Sequence, residues 1–276
     1  MDARRLPAAV LAAAGDRQGG AAEVAARAVD GLLEVADDPP LLEQAVAVLE
    51  AGQPAMAPIW HLAGAARGPD PAAALADLRR RLTTDADAAV AAATAWVLDH
   101  LADTPGPVAT VSHSSLVDRV LARVEAQVET RVAADPRGNP EARRRVPRWG
   151  SVAEPASGDP RSSTAPTDRV GPAHATPAMR VVGADATPVM GVVGADAVGP
   201  GAILNAVGTR ELAGRLPTLV VATAIKLVPG EVFDRLAGPG FETVPLDQLA
   251  VVVVGGEVLS PAEAGRRAEK LSGSRP

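Results

Sequence analysis

The sequence predicts an α/β protein in which an N-terminal helical bundle is followed by a Rossmann-like parallel-sheet domain. Apolar residues recur at helical spacing through the first hundred positions, which is the pattern of amphipathic helices. The spacing of apolar residues changes at TPGP, residues 104–107, after which short apolar runs alternate with helical segments. Such alternation is typical of a mostly parallel sheet with right-handed crossovers. Because 276 residues are enough for two domains, we place them at 1–104 and 105–276.

The helical bundle is predicted from periodic segments separated by Gly, Pro or Thr-Asp breaks. The predicted helices are AAEVAARAVDGLLEVA (21–36), LLEQAVAVLE (41–50), AMAPIWHLAGAA (55–66), AAALADLRRRL (72–82) and DADAAVAAATAWVLDHLA (85–102). Pro39 and Pro40 precede the second of them, where proline favours a helix start. The opening stretch MDARRLPAAVLAAAG has only a short apolar run, so we expect an ordinary helix there and not a signal peptide.

The second domain begins with the predicted strand VATV (108–111), the loop SHSS (112–115) and the helix SLVDRVLARVEAQVE (115–129). Ser115 and Asp118 form a capping-box signature at the start of that helix. The segment TRVAAD (130–135) is compatible with a strand, and we expect a mobile loop over 148–178. Further strands are predicted at 180–184, 191–195, 217–224, 242–245 and 250–254, with helices at AILNAVGTRELAGRL (202–216), VPGEVFDRLA (228–237) and SPAEAGRRAEKL (260–271).

The composition excludes several kinds of site and partner. The chain has no cysteine, so disulfides, thiolate metal sites and a cysteine nucleophile are excluded. Its four histidines show no metal-ligand spacing, and we expect no metal and no cofactor. A net charge of −6 and an aromatic content of 2 % argue against a nucleic-acid partner. No apolar run approaches the length of a membrane helix, so we expect a soluble, cytoplasmic protein.

Polar residues follow the predicted strands, at the edge where open parallel sheets bind ligands. His113, Ser114 and Ser115 follow VATV, an aspartate follows each copy of the repeated VVGA, and Lys226 follows LVVATAI. The segment after His113 also begins a helix, whose free N–H groups favour an anion such as phosphate. Hydroxyl, carboxylate and ammonium groups at one edge suit a sugar phosphate.

Three segments in this order and spacing resemble the superfamily of the translation initiation factor 2B alpha, beta and delta subunits. They are SHSS (112–115), VVGADAVGPGAILNAVGT (192–209) and LVVATAIKL (219–227). The enzymes of that superfamily are ribose-1,5-bisphosphate isomerase and methylthioribose-1-phosphate isomerase. GDRQGGAAEVAARA (15–28) and QPAMAPIWHLA (53–63) are similar to the family's N-terminal helical domain. The resemblance covers nearly the whole chain except about 131–180, and it leaves the subfamily open.

The resemblance implies roles for individual residues. Asp196, and not Asp185, is the functional aspartate, and the VVGADA repeat reflects two neighbouring parallel strands with similar ends. Ser114 and His113 are further catalytic candidates. The implied ligand-binding residues are Gly19, Gly20, Ser115, Asn205, Gly208, Thr209 and Lys226. Helix capping is the structural alternative for His113, Ser115, Asn205 and Thr209.

Three positions depart from the family pattern where it carries reactive or charged groups. Ser114 stands where the isomerases have a cysteine, Ala206 where the pattern has a lysine, and Gln53 where it has an arginine. A serine hydroxyl is too weakly acidic to act as a base without an activating partner. Each lost charge-assisted hydrogen bond to phosphate removes on the order of 1.5–3 kcal/mol. We therefore expect a divergent initiation factor 2B-like protein that binds a phosphorylated sugar or nucleotide-like ligand without efficient isomerase activity.

Two alternatives stay open for the function. One is an aldose–ketose sugar-phosphate isomerase, similar to ribose-1,5-bisphosphate isomerase, that uses Asp196 as acid and base. The other is a regulatory or assembly protein, because the initiation-factor subunits also lack the cysteine. Members of the superfamily pair through their C-terminal domains, and LAVVVVGG (249–256) offers an apolar strand. We expect a homodimer whose other partner is a small phosphorylated metabolite.

Overall fold

The computed structural model describes residues 5–16, 19–111, 114–134, 180–182, 187–236, 238 and 240–273. The N-terminal region is helical, with α1 (Ala8–Gly15), α2 (Ala21–Leu33), α3 (Pro39–Gly52), α4 (Ala57–Ala66) and α5 (Pro71–Asp103). The apolar faces of these helices meet in a core that includes Val10, Leu32, Leu49, Leu62 and Leu75, each at most 1 % exposed. The prediction of an N-terminal helical region is confirmed.

A single helix, α5, replaces the two helices predicted over 72–82 and 85–102. It runs for 33 residues, and Thr84 and Asp85 lie inside it. The Thr84 hydroxyl donates to the Arg80 carbonyl at 3.3 Å within the helix, while the Asp85 carboxylate accepts the Ala224 N–H of the C-terminal region. The predicted break was wrong because these side chains bond elsewhere and do not cap a new helix. Neither α5 nor any other helix of the described residues has an apolar stretch long enough to span a bilayer.

The C-terminal region is built around a six-stranded sheet in the order β2-β1-β3-β6-β8-β9. Strands β1, β3, β6 and β8 are parallel, and β2 and β9 pair antiparallel at the two edges, so the mostly parallel sheet is confirmed. The elements are β1 (Val108–Thr110), α6 (Ser115–Ala134), β2 (Arg180–Val182), β3 (Met190–Gly194), β4 (Ala197–Val198), β5 (Ala202–Ala206), α7 (Thr209–Arg215), β6 (Thr218–Ala222), α8 (Gly230–Phe233), β7 (Phe241–Pro245), β8 (Val251–Val254), β9 (Glu257–Leu259) and α9 (Pro261–Lys270).

The central strands are buried on both faces, as parallel strands covered by helices require. On β3, Val192 packs in a cluster with residues of α5 and α6, whereas its neighbour Val193 packs in a cluster with residues of α7 and α9. On β8, Val251 and Val253 belong to the first cluster and the alternate valines to the second. The sheet therefore lies between two helical layers, one of which contains the second half of α5.

A smaller antiparallel sheet, in the order β4-β5-β7, corrects the helix predicted over 202–216. Only Thr209–Arg215 is helical, and Ala202–Ala206 forms β5, which pairs with β7 along its full length. A short apolar run such as AIL fits a helix or a buried strand equally by periodicity. This segment forms a strand because it pairs with β7, about 40 residues away. A local sequence pattern does not reveal such a distant partner.

Two further expectations change in the sheet region. The two copies of VVGADA do not form neighbouring parallel strands, because β2 is antiparallel to β1 and β1 lies between β2 and β3. The strand considered over 130–135 is wrong, because α6 continues through Ala134. Asp185 and the segment 148–178, predicted to be mobile, lie outside the described residues.

Candidate functional site

The carboxyl ends of β1, β3 and β6 meet at one edge of the sheet. The register pairs Val108 with Met190 on the first two strands and Gly194 with Val221 on the next two. Asp196 follows β3 by two residues and Thr223 follows β6 directly, so both lie at this edge. The 3-10 turn Ala224–Lys226, called the Lys226 turn below, follows directly.

Asp196 and Lys226 form an ion pair at this edge. Asp196 follows β3, and its N–H donates to the Leu204 carbonyl of β5 at 2.8 Å, which fixes the backbone. The Lys226 Nζ lies 3.7 Å from the Asp196 Oδ1, with the lysine side chain 10 % exposed and the aspartate side chain 33 % exposed. The pair therefore presents a partly accessible carboxylate above a nearly buried ammonium.

Burial lowers the pKa of Lys226, and the neighbouring Asp196 carboxylate partly opposes that shift. The direction follows from physics, because removing an ammonium from water disfavours its charged form and a nearby carboxylate restores it. An anion bound beside Lys226 would act in the same sense as Asp196. Such an anion would therefore raise the proton affinity of Lys226.

The Lys226 turn is bonded to other elements at both ends. On the sheet side, the Val228 N–H donates to the Val198 carbonyl of β4 at 3.0 Å. On the helical side, the His61 Nε2 lies 2.7 Å from the Leu227 carbonyl, and Asp85 accepts the Ala224 N–H. Sequence reasoning assigned no role to His61 or Asp85, which lie more than a hundred positions from the turn. His61 falls within the family-like segment 53–63, but the resemblance gave it no role in the site.

Burial also shifts the pKa of these two helical-region groups. The pKa of His61 is lowered by desolvation, against which its bond to the Leu227 carbonyl acts. The pKa of Asp85 is raised by desolvation, and Arg81 and the Ala224 N–H oppose that shift. Because a carbonyl can only accept, the imidazole donates from Nε2, and its Nδ1 is the unprotonated nitrogen in the neutral ring.

Asn205 and Thr209 bond to each other beside this site. The Asn205 Nδ2 donates to the Thr209 Oγ1 at 2.9 Å, and the Thr209 hydroxyl donates to the Ala206 carbonyl at 2.8 Å. Both residues are buried. Between them, Gly208 has a φ of 100°, and a Cβ added there would lie 3.7 Å from Val111 at the end of β1. The turn therefore lies against the end of β1 and needs glycine for its backbone.

The helical-region candidates Gly19 and Gly20 precede α2. The Gly19 N–H donates to the Asp16 carboxylate at 2.7 Å, and the same carboxylate pairs with Arg27. Gly20 occupies the N-cap position of α2. Gln53, where the family pattern has an arginine, donates to the Ala13 and Asp16 carbonyls at 2.8 and 2.6 Å. These contacts give the loop a structural partner within the helical region.

The remaining candidates lie around the start of α6. Ser114 is half-buried, and its carbonyl accepts the Asp118 N–H at 3.0 Å, which makes it the residue that precedes the helix. Ser115, the predicted cap, is exposed and is already the first residue of α6, so the residue that precedes the helix is Ser114, one position before the predicted cap. His113 lies outside the described residues. Among the side chains that the structure describes, no three His, Asp or Glu groups converge as metal ligands would.

Comparisons with known proteins agree on the fold. The translation initiation factor 2B of Pyrococcus horikoshii matches with a TM-score of 0.56 at 14 % identity, over 92 % of this chain and 96 % of that one. The tetrameric beta2-delta2 complex of factor 2B from C. thermophilum matches with a TM-score of 0.57 at 15 % identity, over 95 % of this chain and 92 % of that one.

The factor 2B beta subunit of Chaetomium thermophilum matches with a TM-score of 0.54 at 12 % identity, over 95 % of this chain and 90 % of that one. No family model and no curated protein matches the sequence. At such low identity the likeness concerns the fold. The chain has the fold of the translation initiation factor 2B subunits, as the motifs at its strand ends predict.

Proposed function

We propose that the chain is a divergent initiation factor 2B-like protein that binds a phosphorylated sugar or nucleotide-like ligand at the strand ends, without efficient isomerase activity. In this proposal the Asp196 carboxylate accepts a hydrogen bond from a ligand hydroxyl, and the Lys226 ammonium binds a phosphate oxygen. The N–H groups at the start of α6, after Ser114, offer further donors to an anion.

The observation that carries the proposal is the burial of Lys226. Its residue exposure is 8 %, and its carboxylate partner is 3.7 Å away. Burying a charged group costs free energy that folding a parallel sheet does not require. Charged groups with shifted pKa values at an open strand edge are typical of ligand sites. A ligand anion would supply a further acceptor for the ammonium, which has three N–H donors.

Inefficient isomerisation follows from the acid/base groups at this edge. Moving a proton between two carbons needs two groups of suitable pKa. Asp196 is one candidate, whereas Ser114 offers only a hydroxyl. The Thr209 hydroxyl is engaged with the Ala206 carbonyl, so it does not replace the missing cysteine.

A thermal-shift titration tests ligand binding. The probes are ribose 5-phosphate, ribose 1,5-bisphosphate and adenosine monophosphate, with inorganic phosphate as the minimal anion. A ligand at about one hundred times its dissociation constant adds roughly 2.7 kcal/mol to the free energy of unfolding. We expect at least one organic phosphate to stabilise the chain more than inorganic phosphate does.

The chain contains two lysines, which provides a matched control. Lys226→Met should abolish the ligand-induced shift, and Lys270→Met, on the exposed side of α9, should retain it. Stabilisation that survives Lys226→Met would place the ligand elsewhere. If none of the phosphates stabilises the wild-type chain, the proposal fails.

The isomerase alternative has its own test. Asp196 lies beside a buried ammonium that can stabilise developing negative charge on a substrate oxygen. Proton NMR in D2O would follow exchange of the proton on C2 of ribose 5-phosphate and of ribose 1,5-bisphosphate. Turnover that disappears in Asp196→Asn would favour the alternative and contradict the statement that the chain lacks efficient activity.

A homodimer through the C-terminal region is part of the proposal. The similar factor 2B complex is a tetramer of beta and delta subunits. In this chain, Val258 on edge strand β9 is 48 % exposed and Phe241 on β7 is 41 % exposed, and exposed apolar side chains favour association. Light scattering should give twice the 27.9 kDa mass. The domain boundary at residue 104 and the cytoplasmic location remain predictions.

A further inference from the structure

A cavity of about 270 Å³ lies between the helical region and the Lys226 turn, and neither Asp196 nor Lys226 lines it. Its walls come from α4, α5, the turn and Leu271 near the end of the described chain. Small-molecule sites occur preferentially between domains, and about 300 Å³ is the lower limit for drug-sized ligands. The volume therefore suits a small metabolite.

Both charges and apolar surface line this cavity. Arg81 and Asp85 are one turn apart on α5 and both reach the cavity, together with His61. Leu78, Ile225 and Leu271 form an apolar part of the wall. A concave, mostly apolar surface with a few convergent polar groups is the usual form of a small-molecule site.

Arg81 acts on Asp85 electrostatically, but among the described residues the two form no direct ion pair, although their spacing permits one. The Arg81 Nε instead contacts the Asp77 Oδ2 at 2.7 Å, and among the described residues Arg81 forms no other ion pair. The Arg81 side chain is 54 % exposed, so its guanidinium stays within reach of a ligand carboxylate. Asp85 uses one acceptor position for the Ala224 N–H, and a carboxylate has further positions for an ammonium.

We propose that this cavity binds a small zwitterion with an apolar body, the chemical class of the apolar α-amino acids. The ligand carboxylate lies against the Arg81 guanidinium, and the ligand ammonium lies against the Asp85 carboxylate and the His61 Nδ1. The apolar side chain packs on Leu78, Ile225 and Leu271. This site is separate from the strand-end site of the proposed function, and its occupant needs no phosphate.

A larger groove of about 620 Å³ between α2 and α5 does not offer the same chemistry. The one carboxylate that lines it, Asp30, is paired with Arg79 at 2.5 Å, so the groove offers no second charge for a ligand ammonium. Arg80, which also lines the groove, contacts Asp77 at 2.9 Å. Arg80 therefore serves as a matched control for Arg81, because both contact the same aspartate from the same helix and only Arg81 reaches the smaller cavity.

Isothermal calorimetry on the full chain tests the proposal with leucine, methionine and valine as probes. We expect at least one of them to bind. Two analogues, 3-methylbutylamine and 4-methylpentanoate, keep the apolar body of leucine and carry only one of its charges. Each should bind about ten-fold more weakly than the zwitterion, because each loses one charge-assisted contact. Equal binding of either analogue would overturn the zwitterion assignment, and no binding of any amino acid would overturn the site.

Variants distinguish this cavity from any other binding place. Arg81→Gln and Asp85→Asn should each weaken amino-acid binding about ten-fold or more. Arg80→Gln and Asp87→Asn, which change charges on the same helix outside the cavity, should leave it within about two-fold. Circular dichroism melts establish that all four variants are folded. If Arg80→Gln weakened amino-acid binding as much as Arg81→Gln, or Asp87→Asn as much as Asp85→Asn, the assignment to this cavity would be contradicted. If Lys226→Met loses phosphate binding and keeps leucine binding unchanged, the two sites bind their ligands independently.

Discussion

Two polar pairs at the same edge of the sheet differ in how much of their bonding capacity is used. Asn205 and Thr209 are at most 3 % exposed, are joined at 2.9 Å, and the threonine hydroxyl continues to a backbone carbonyl at 2.8 Å. Asp196 and Lys226 are 3.7 Å apart, and the aspartate side chain is 33 % exposed. The first pair holds the turn around Gly208, whereas the second keeps acceptor and donor positions that a ligand can use.

The largest effect should follow from breaking the closed pair. Thr209→Val keeps the shape of the side chain and removes the hydroxyl, which leaves the Asn205 amide and the Ala206 carbonyl without a partner. We expect a loss of about 2–4 kcal/mol in the free energy of unfolding, because each buried unsatisfied group costs about 1–3 kcal/mol. Urea denaturation measures it.

Thr84→Val is the control for that substitution. The Thr84 hydroxyl also bonds to a backbone carbonyl, but it is exposed on α5, so its loss should cost less than about 0.5 kcal/mol. Equal losses in the two threonine variants would show that the buried pair has no special structural role.

Breaking the open pair should cost less. Asp196→Asn leaves the Lys226 ammonium without its carboxylate, which is destabilising for a buried charge. The aspartate is one-third exposed, so solvent reduces the loss to about 1–2 kcal/mol. Lys226→Met removes the buried charge itself and should be neutral or stabilising.

The double variant Asp196→Asn/Lys226→Met sharpens this expectation. It should match Lys226→Met and recover the stability that Asp196→Asn loses, as a double-mutant cycle measured by urea denaturation would reveal. If the two single losses simply add, the side chains are independent and the ion pair does not contribute.

The open pair also predicts a lysine signal that can be observed directly. With only two lysines in the chain, carbon NMR of lysine labelled at Cε gives two resonances, which Lys270→Met assigns. The Lys226 resonance should titrate below the ordinary lysine value of about 10.4, because burial lowers its pKa. A bound phosphate should raise that midpoint. An unchanged midpoint on saturation with ligand would place the ligand away from Lys226.

Much of the fold is readable from local patterns, and the failures have physical causes. The valines of β3 and β8 form continuous apolar runs, which parallel strands buried on both faces require. The hairpin β8–β9 was missed although Gly255-Gly256, both with positive φ, is a two-residue turn that favours a hairpin. The strand β5 was read as a helix because its pairing with β7 is not local.

The candidate site likewise contains residues that the sequence predicts and residues that it does not. Asp196 and Lys226 were predicted from the resemblance and from their positions after apolar strands, and the structure brings them together. His61 and Asp85 could not be predicted, because their partners are backbone atoms of residues 227 and 224, which only the folded chain brings near. Side-chain contacts to backbone leave no trace in the identity of the residue contacted.

The smallest effect concerns His61, which contacts the Leu227 carbonyl directly after the Lys226 turn. Burial lowers its folded pKa below the ordinary value of 6.5, so below that pH the unfolded chain binds a proton that the folded chain does not. The free energy of unfolding therefore falls as the pH drops through 6.5 towards the folded pKa, with a limiting slope of about 1.4 kcal/mol per pH unit.

His61→Gln keeps a donor for the Leu227 carbonyl and cannot titrate. Wild type and variant should have similar stability near pH 8, and the wild type should lose up to about 1 kcal/mol relative to the variant by pH 5.5. Urea denaturation at both pH values measures the difference. If the stability difference stays constant with pH, His61 binds its proton equally in the folded and unfolded states. That result would contradict the statement that burial lowers its pKa.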